Sequence, residues 1–186
     1  MKSLDLKGLF KTGSVTNMQM MFQGTGYQKL ESLNLGTEFD TSAVINMNYM
    51  FEMTGHEQMT SLNLGDKFNT SNVTEMEAMF NETGNNNLTS LDLGDKFYTT
   101  AVTDMTNMFY QAGSSAMTTI DLGPAFTKIA STNSGMFDNT GKSGAVTIYA
   151  SEQIYLDRNN FKLDTTATTS AVNYTRGTIN PKYRTE

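Results

Sequence analysis

Leu4, Leu33, Leu62, Leu91 and Ile120 stand 29 residues apart, and Ile148 follows after 28. Phe22, Phe51, Phe80, Phe109 and Phe137 keep the same beat, as do Gly26, Gly55, Gly84, Gly113 and Gly141. One full unit runs from Leu62 to Leu91, LNLGDKFNTSNVTEMEAMFNETGNNNLTSL. Self-similarity at a fixed period of roughly 20 to 50 residues is the signature of a solenoid, in which each unit buries its faces only against its neighbours. This constrains the fold more than any other feature of the chain.

Each unit divides into two patterns. It opens as LxxLxLG, as in Leu30, Leu33, Leu35 and Gly36. Alternation over Leu33, Asn34 and Leu35 puts leucines on one face and Ser32 and Asn34 on the other, which a half-buried strand requires. Further on, Val44, Met47, Met50 and Phe51 fall at i, i+3, i+6 and i+7, one stripe of a helix. Thr41-Ser42, Thr70-Ser71-Asn72 and Thr99-Thr100 precede these stripes as N-caps. Asn72 and Glu75 have capping-box spacing, and Gly55, Gly84 and Gly113 stand where a left-handed helix terminus is wanted.

The pattern predicts an α/β solenoid: a leucine-rich-repeat-like, right-handed stack of about five 29-residue strand–turn–short helix units, with a parallel sheet on one face. The repeat solenoid occupies residues 1–150, with units starting near 1, 30, 60, 89 and 118 and a last strand at 146–150. Residues 151–186 form a C-terminal cap and tail, with a short helix over SEQIYLDRNNF carrying Ile154, Tyr155 and Phe161. Met1 occupies a leucine position that opens a unit, so the chain reads as a segment of a longer protein.

Composition excludes several functions. Only 38% of the 186 residues are hydrophobic, but their spacing argues for a packed stack rather than disorder. The formal charge of −6 and scattered Lys and Arg argue against nucleic acid, whose phosphates demand clustered basic residues. No apolar run reaches the roughly 18 residues that span a bilayer, so this segment is not expected to insert in a membrane. With no Cys there are no disulfides, thiolate metal sites or cysteine nucleophiles. The single His56 cannot assemble a triad or a zinc site, and no catalytic residues, metal or cofactor are expected. The 14 Met residues fall mainly on the interior stripes and read as core rather than as a soft-metal site.

The units, written xSLxLGxxFxTSxVTxMxxMFxxTG, resemble the BspA-like bacterial surface repeats, relatives of the leucine-rich repeats with the hallmark F-x-T-S-x-V-x-x-M-x-x-M-F. Phe68 to Met76, followed by Met79-Phe80, carries the likeness almost letter for letter, over about residues 1–150. It is weaker in the fifth unit, where Asn133 replaces the first Met. Ordinary leucine-rich repeats carry a buried Asn beyond the last strand leucine; here Glu38, Lys67, Lys96 and Ala125 stand there, so the turn must be built differently. The resemblance implies an exported, surface-located bacterial protein associated with adhesion, not a particular ligand.

The candidate binding face is the outward side of the strands. One column contains Ser32, Ser61, Ser90 and Thr119; the other contains Asn34, Asn63, Asp92 and Asp121. One reading is a solvated polar face suited to close stacking. The other is a recognition surface for a host or neighbouring-cell protein or glycan, since solenoids present extended surfaces of this kind. Calcium along the acidic column would need six to eight oxygens, which alternating Asn and Asp do not offer. The expected function is a non-catalytic adhesion or stalk module. A spacer or self-assembling module, monomeric or associating end to end through an open first rung, is the alternative. Ice or crystal-surface binding is a remote third, because the Asp/Asn column interrupts a flat hydroxyl array.

Overall fold

A computed structural model describes residues 1–141, 146–151, 153–154 and 172–173. The chain coils through five successive rungs, each contributing one short strand. These strands are β1 (Ser3–Asp5), β2 (Ser32–Asn34), β3 (Ser61–Asn63), β4 (Ser90–Asp92) and β5 (Thr119–Asp121), followed by β6 (Val146–Tyr149) and β7 (Val172–Asn173). All neighbouring pairs within a sheet are parallel, and those among the repeat strands keep the register the repeat dictates: Leu4 beside Leu33, Leu33 beside Leu62, Leu91 beside Ile120, Ile120 beside Ile148. The leucines point inward because the strand alternates, so the apolar beat of the sequence becomes a column of contacts inside the stack.

The helices expected after each strand do not form, and the α/β, leucine-rich-repeat description is corrected to a parallel-strand β-solenoid. The segment from Met47 to Gly55 is a run of consecutive turns. Alternate amides donate three residues back, as Met50 N to Met47 O, Glu52 N to Tyr49 O and Thr54 N to Phe51 O. The amides between them donate to the next rung, as Met47 N to Glu75 O, Tyr49 N to Glu77 O, Phe51 N to Met79 O and Met53 N to Asn81 O. An α-helix would spend all of these donors on its own carbonyls four residues back; here half of them bind rung to rung. Tyr49, Met53 and Gly55 hold φ of +59°, +54° and +53°, and Asn107, Gln111 and Gly113 repeat this two rungs on. Left-handed residues at a four-residue interval are incompatible with a right-handed helix.

The interior stripe itself is as expected. Val44, Met47, Met50 and Phe51 are fully buried, as are Met76, Met79 and Phe80 and Met105, Met108 and Phe109. A chain of consecutive turns brings a side chain inward every three or four residues, so it mimics helical periodicity in sequence. Phe22, Phe51, Phe80, Phe109 and Phe137 form one stacked column, with Phe80 and Phe109 centroids 5.6 Å apart and rings 1° from parallel. A second column, Phe68, Phe97 and Phe126, runs beside it.

The proposed N-caps serve the stack instead. Buried Thr41 Oγ1 donates to Asn69 O and accepts from Asn69 N, and Thr70 Oγ1 donates to Tyr98 O. Thr99 Oγ1 accepts from Lys128 N. Asn72 makes no capping box; its Nδ2 donates to Ser42 O of the preceding rung. A further buried row, Thr54, Thr83 and Thr140, donates to Phe22, Phe51 and Phe109 carbonyls. Each of these three hydroxyls adds a second bond to a carbonyl that already accepts an amide three residues on, from Thr25, Thr54 and Ala112.

A line of parallel bridges, Asn17, Asn46, Glu75, Asp104 and Thr132, runs unbroken along the turn side. The residue missing from the fifth unit is absorbed there, since the offset falls from 29 between Glu75 and Asp104 to 28 between Asp104 and Thr132. Of the expected C-terminal cap, Gln153 and Ile154 are helical and Ile154 is fully buried. Tyr155, Phe161 and most of 155–186 lie outside the described residues.

Candidate functional site

The outward strand face combines both polar columns anticipated from sequence, and the structure gives the second a local task. Asn34 Oδ1 accepts the Gly36 amide, Asn63 Oδ1 that of Gly65, Asp92 Oδ1 that of Gly94 and Asp121 Oδ1 that of Gly123. Asp5 does the same for Lys7. Each closes an Asx turn at the strand's end. The side chains remain at the surface: Asn63 and Asp92 are exposed, Asn34 and Asp121 half-buried. In the other column Ser61 and Ser90 are exposed, Ser32 and Thr119 are half-buried, and Ser32 Oγ donates to Ser3 Oγ.

The glycines that these turns cap sit hard against the preceding rung. A Cβ added at Gly36 would collide with the Lys7 carbonyl oxygen, at Gly65 with that of Gly36 and at Gly123 with that of Gly94. Gly94 is the exception, with open space around it.

That exception marks a break in the strand layer. β1-β2-β3 form one sheet and β4-β5-β6-β7 another, with no ladder joining β3 to β4. At closed seams the residue after the strand donates forward, as Leu35 N to Asn63 O and Leu93 N to Asp121 O. The residue before the strand donates backward, as Thr60 N to Glu31 O and Thr118 N to Thr89 O. Between β3 and β4, Leu64 N, Asp92 O, Thr89 N and Thr60 O make no such bonds. Leu62, the central residue of β3, is left half-exposed where Leu33 and Leu91 are buried. The turn side stays closed, with Met76 N to Asp104 O at 3.1 Å and Phe80 N to Met108 O at 2.8 Å.

The result is a wedge-shaped cleft of about 570 Å³ opening on the strand face. Asn63 and Asp92, two of the anticipated site residues, line it with Leu62, Asp66, Asp95 and Lys96. Lys96 Nζ reaches across to Asp66 O at 3.2 Å. The sequence carries no sign of this cleft, because units three and four both read SLxLGDKF.

Elsewhere the polar groups knit rungs together. Lys67 pairs with Glu38 at 2.9 Å and Lys2 with Glu31 at 2.6 Å. His56 stacks on Tyr27 with centroids 4.5 Å apart and sets Nε2 3.2 Å from Glu82 Oε2, an ion pair when the imidazole is protonated. Tyr49 is pushed up to about 12 by its hydrogen bond to Glu77, then by burial and the charges of Glu77, Glu52 and Asp104. The Ser42 amide and hydroxyl hold the Asp40 carboxyl below its ordinary value. Among the described residues no three His, Asp or Glu side chains converge as a metal site, and no helix is long and apolar enough to cross a membrane.

A family model described as Mycoplasma protein of unknown function, DUF285, matches residues 16–145. No curated protein and no solved structure matches the chain.

Proposed function

The chain belongs to the family described as Mycoplasma protein of unknown function, DUF285, and on that premise we propose that it is a non-catalytic repeat module that binds a partner through its strand face. The observation that carries this reading is the cleft between β3 and β4, which opens on that face and is lined by Asn63 and Asp92 of the polar column. Short polar side chains repeated along a stack offer many equivalent contacts, so a partner with its own repetition gains by multivalency. A location at the surface of a bacterial cell, within a longer exported protein, and a role in adhesion rest on the resemblance to BspA-like repeats. The partner is then a host or neighbouring-cell protein or glycan.

The test is a screen of the purified domain on glycan and host-matrix arrays beside a variant with Ser61, Asn63, Ser90 and Asp92 all changed to Ala. Binding that the variant loses supports the reading. Binding that survives all four changes moves the interaction off the strand face.

A second reading, end-to-end association, is favoured by the polarity of the first rung. Carbonyls of Asn46, Asn48, Met50 and Glu52 accept the amides of Met18, Met20, Phe22 and Gly24. The equivalent carbonyls of rung one, on Asn17, Gln19, Met21 and Gln23, have no such donors among the described residues. Met1, Leu9, Phe10, Met20 and Met21 are exposed around the same end. A row of acceptors pairs with a donor row and not with its own copy, whether the donors come from another chain or from a further segment of the same polypeptide. Light scattering after size exclusion gives a concentration-dependent rise in mass on this reading and a constant monomer mass against it.

A further inference from the structure

Resting on the strand-face reading above, we propose that the open seam between β3 and β4 is a peptide slot, which takes an extended segment bearing basic side chains as an additional strand. Hydrogen-bond bookkeeping selects a peptide. On one wall Thr60 offers a carbonyl and Leu64 an amide; on the other Thr89 offers an amide and Asp92 a carbonyl, and none is satisfied across the seam. Two acceptors and two donors spaced along a strand are the complement of another strand's main chain, the pairing used in β-augmentation. A glycan presents hydroxyls but no such alternation at strand spacing.

The walls can part. β3 and β4 keep Cα atoms within 8 Å, whereas an intervening strand needs two ladder spacings, roughly 9.6 Å. No strand ladder resists widening, because none joins β3 to β4, and the bond that does cross, Lys96 Nζ to Asp66 O, comes from an exposed side chain that can let go. The unbroken bridge from Glu75 to Asp104 and the stacked Phe80 and Phe109 hold the far side as a hinge.

Charge selects the side chains. Asp66 and Asp92 stand exposed at the mouth, and the cation beside them, Lys96, already donates to the Asp66 carbonyl. Half-exposed Leu62 gives the inward-facing residues of a peptide an apolar floor. A segment alternating basic and β-branched residues meets both, the basic side chains outward and the branched ones on Leu62.

The test titrates the protein with a capped hexapeptide of alternating Lys and Val, and with its Glu/Val counterpart, by isothermal calorimetry. A Ser61→Cys/Ser90→Cys variant then staples the seam, and an Asn17→Cys/Asn46→Cys variant staples an already closed bridge on the turn side, away from the strand face, as a control. Saturable binding of the Lys/Val peptide that the seam staple abolishes, that reductant restores and that the control keeps is the expected result, with the Glu/Val peptide at least tenfold weaker. Lys/Val binding that the seam staple leaves unchanged overturns the slot while leaving the strand-face reading intact. Absence of saturable binding up to about 1 mM peptide also overturns it. Equal affinity for both peptides removes the charge selection on which the proposal depends. The array screen uses the unstapled protein and its fourfold Ala variant, so the two readings fail separately.

Discussion

Gly65 and Gly94 hold the same place in successive rungs with nearly equal left-handed φ, +79° and +76°, yet only Gly65 is pressed against the rung before it. A Cβ at Gly65 meets the Gly36 carbonyl oxygen, and a Cβ at Gly94 meets nothing within 4 Å. Gly94→Ala should therefore cost only the left-handed penalty of an L-residue, about 1–2 kcal/mol. Gly65→Ala adds the displacement of a backbone carbonyl in a closed seam and should cost at least twice as much. Paired urea denaturation curves check this, and equal losses would mean that the seam beside Gly94 is closed.

Gln111 gives a prediction of opposite sign to the usual one. Its φ is +54° within what the sequence pattern presents as a helix. In a helix interior, Gly in place of Gln would cost roughly 0.5–1 kcal/mol. At a left-handed position Gly relieves strain, so Gln111→Gly should stabilise by about 1 kcal/mol. Thermal melts of the variant and parent read the sign directly.

How much of this was legible in the sequence follows from what each residue does. Leu33, Leu62 and Leu91 announce strands because alternation over even three residues puts leucines on one side, and the 29-residue beat gives the register in which Leu33 pairs with Leu62 and Leu91 with Ile120. Val73, Met76, Met79 and Phe80 announced a buried stripe, and they are buried. The stripe could not say whether its backbone was helical, because a chain of turns turns inward at the same interval. The left-handed residues that settle the matter, Tyr49, Ala78 and Asn107, are not glycines and carry no common identity, so composition gave no warning. The Asp/Asn column was legible as an outward row but not as a set of Asx turns, which depends on the left-handed Gly two residues on. The open seam is invisible in sequence because the residues on its two walls are nearly the same.

Phe80 is stacked on Phe51 and Phe109 with no exposed surface. Phe80→Ala should cost about 3–5 kcal/mol, the usual loss for a large buried aromatic. Because each rung is held only by its neighbours, that loss should appear as earlier melting of the whole described stack, read by circular dichroism.

Thr83 tests the polar interior. Its hydroxyl donates to Phe51 O at 2.7 Å and both are buried. Thr83→Val keeps the shape and removes one of the two hydrogen bonds to that carbonyl, which still accepts Thr54 N, so the expected loss is about 0.5–1.5 kcal/mol. Thr103, whose hydroxyl donates to Thr74 O at the surface, is the comparison; Thr103→Val should lose less than half as much.

Tyr49 predicts a pH dependence. Its phenol is raised from 10.0 to about 12, chiefly by the hydrogen bond to Glu77, so folding favours the neutral form. The stabilisation is fully present below about pH 10, the unfolded value, and is lost as pH rises through the folded value near 12. Absorbance titration of tyrosinate should show a late-ionising phase that Tyr49→Phe removes. A wild-type titration complete well below pH 12 would contradict the Glu77 contact.

The central claim is that the turn-side amides bind between rungs rather than within helices, and hydrogen-bond scalar couplings measured by NMR read it without interpretation. A coupling between the Phe51 amide nitrogen and the Met79 carbonyl carbon, repeated between Phe80 and Met108, is the predicted result. Couplings from Phe51 to Met47 and from Phe80 to Met76, the four-residue spacing of an α-helix, would contradict the solenoid described here.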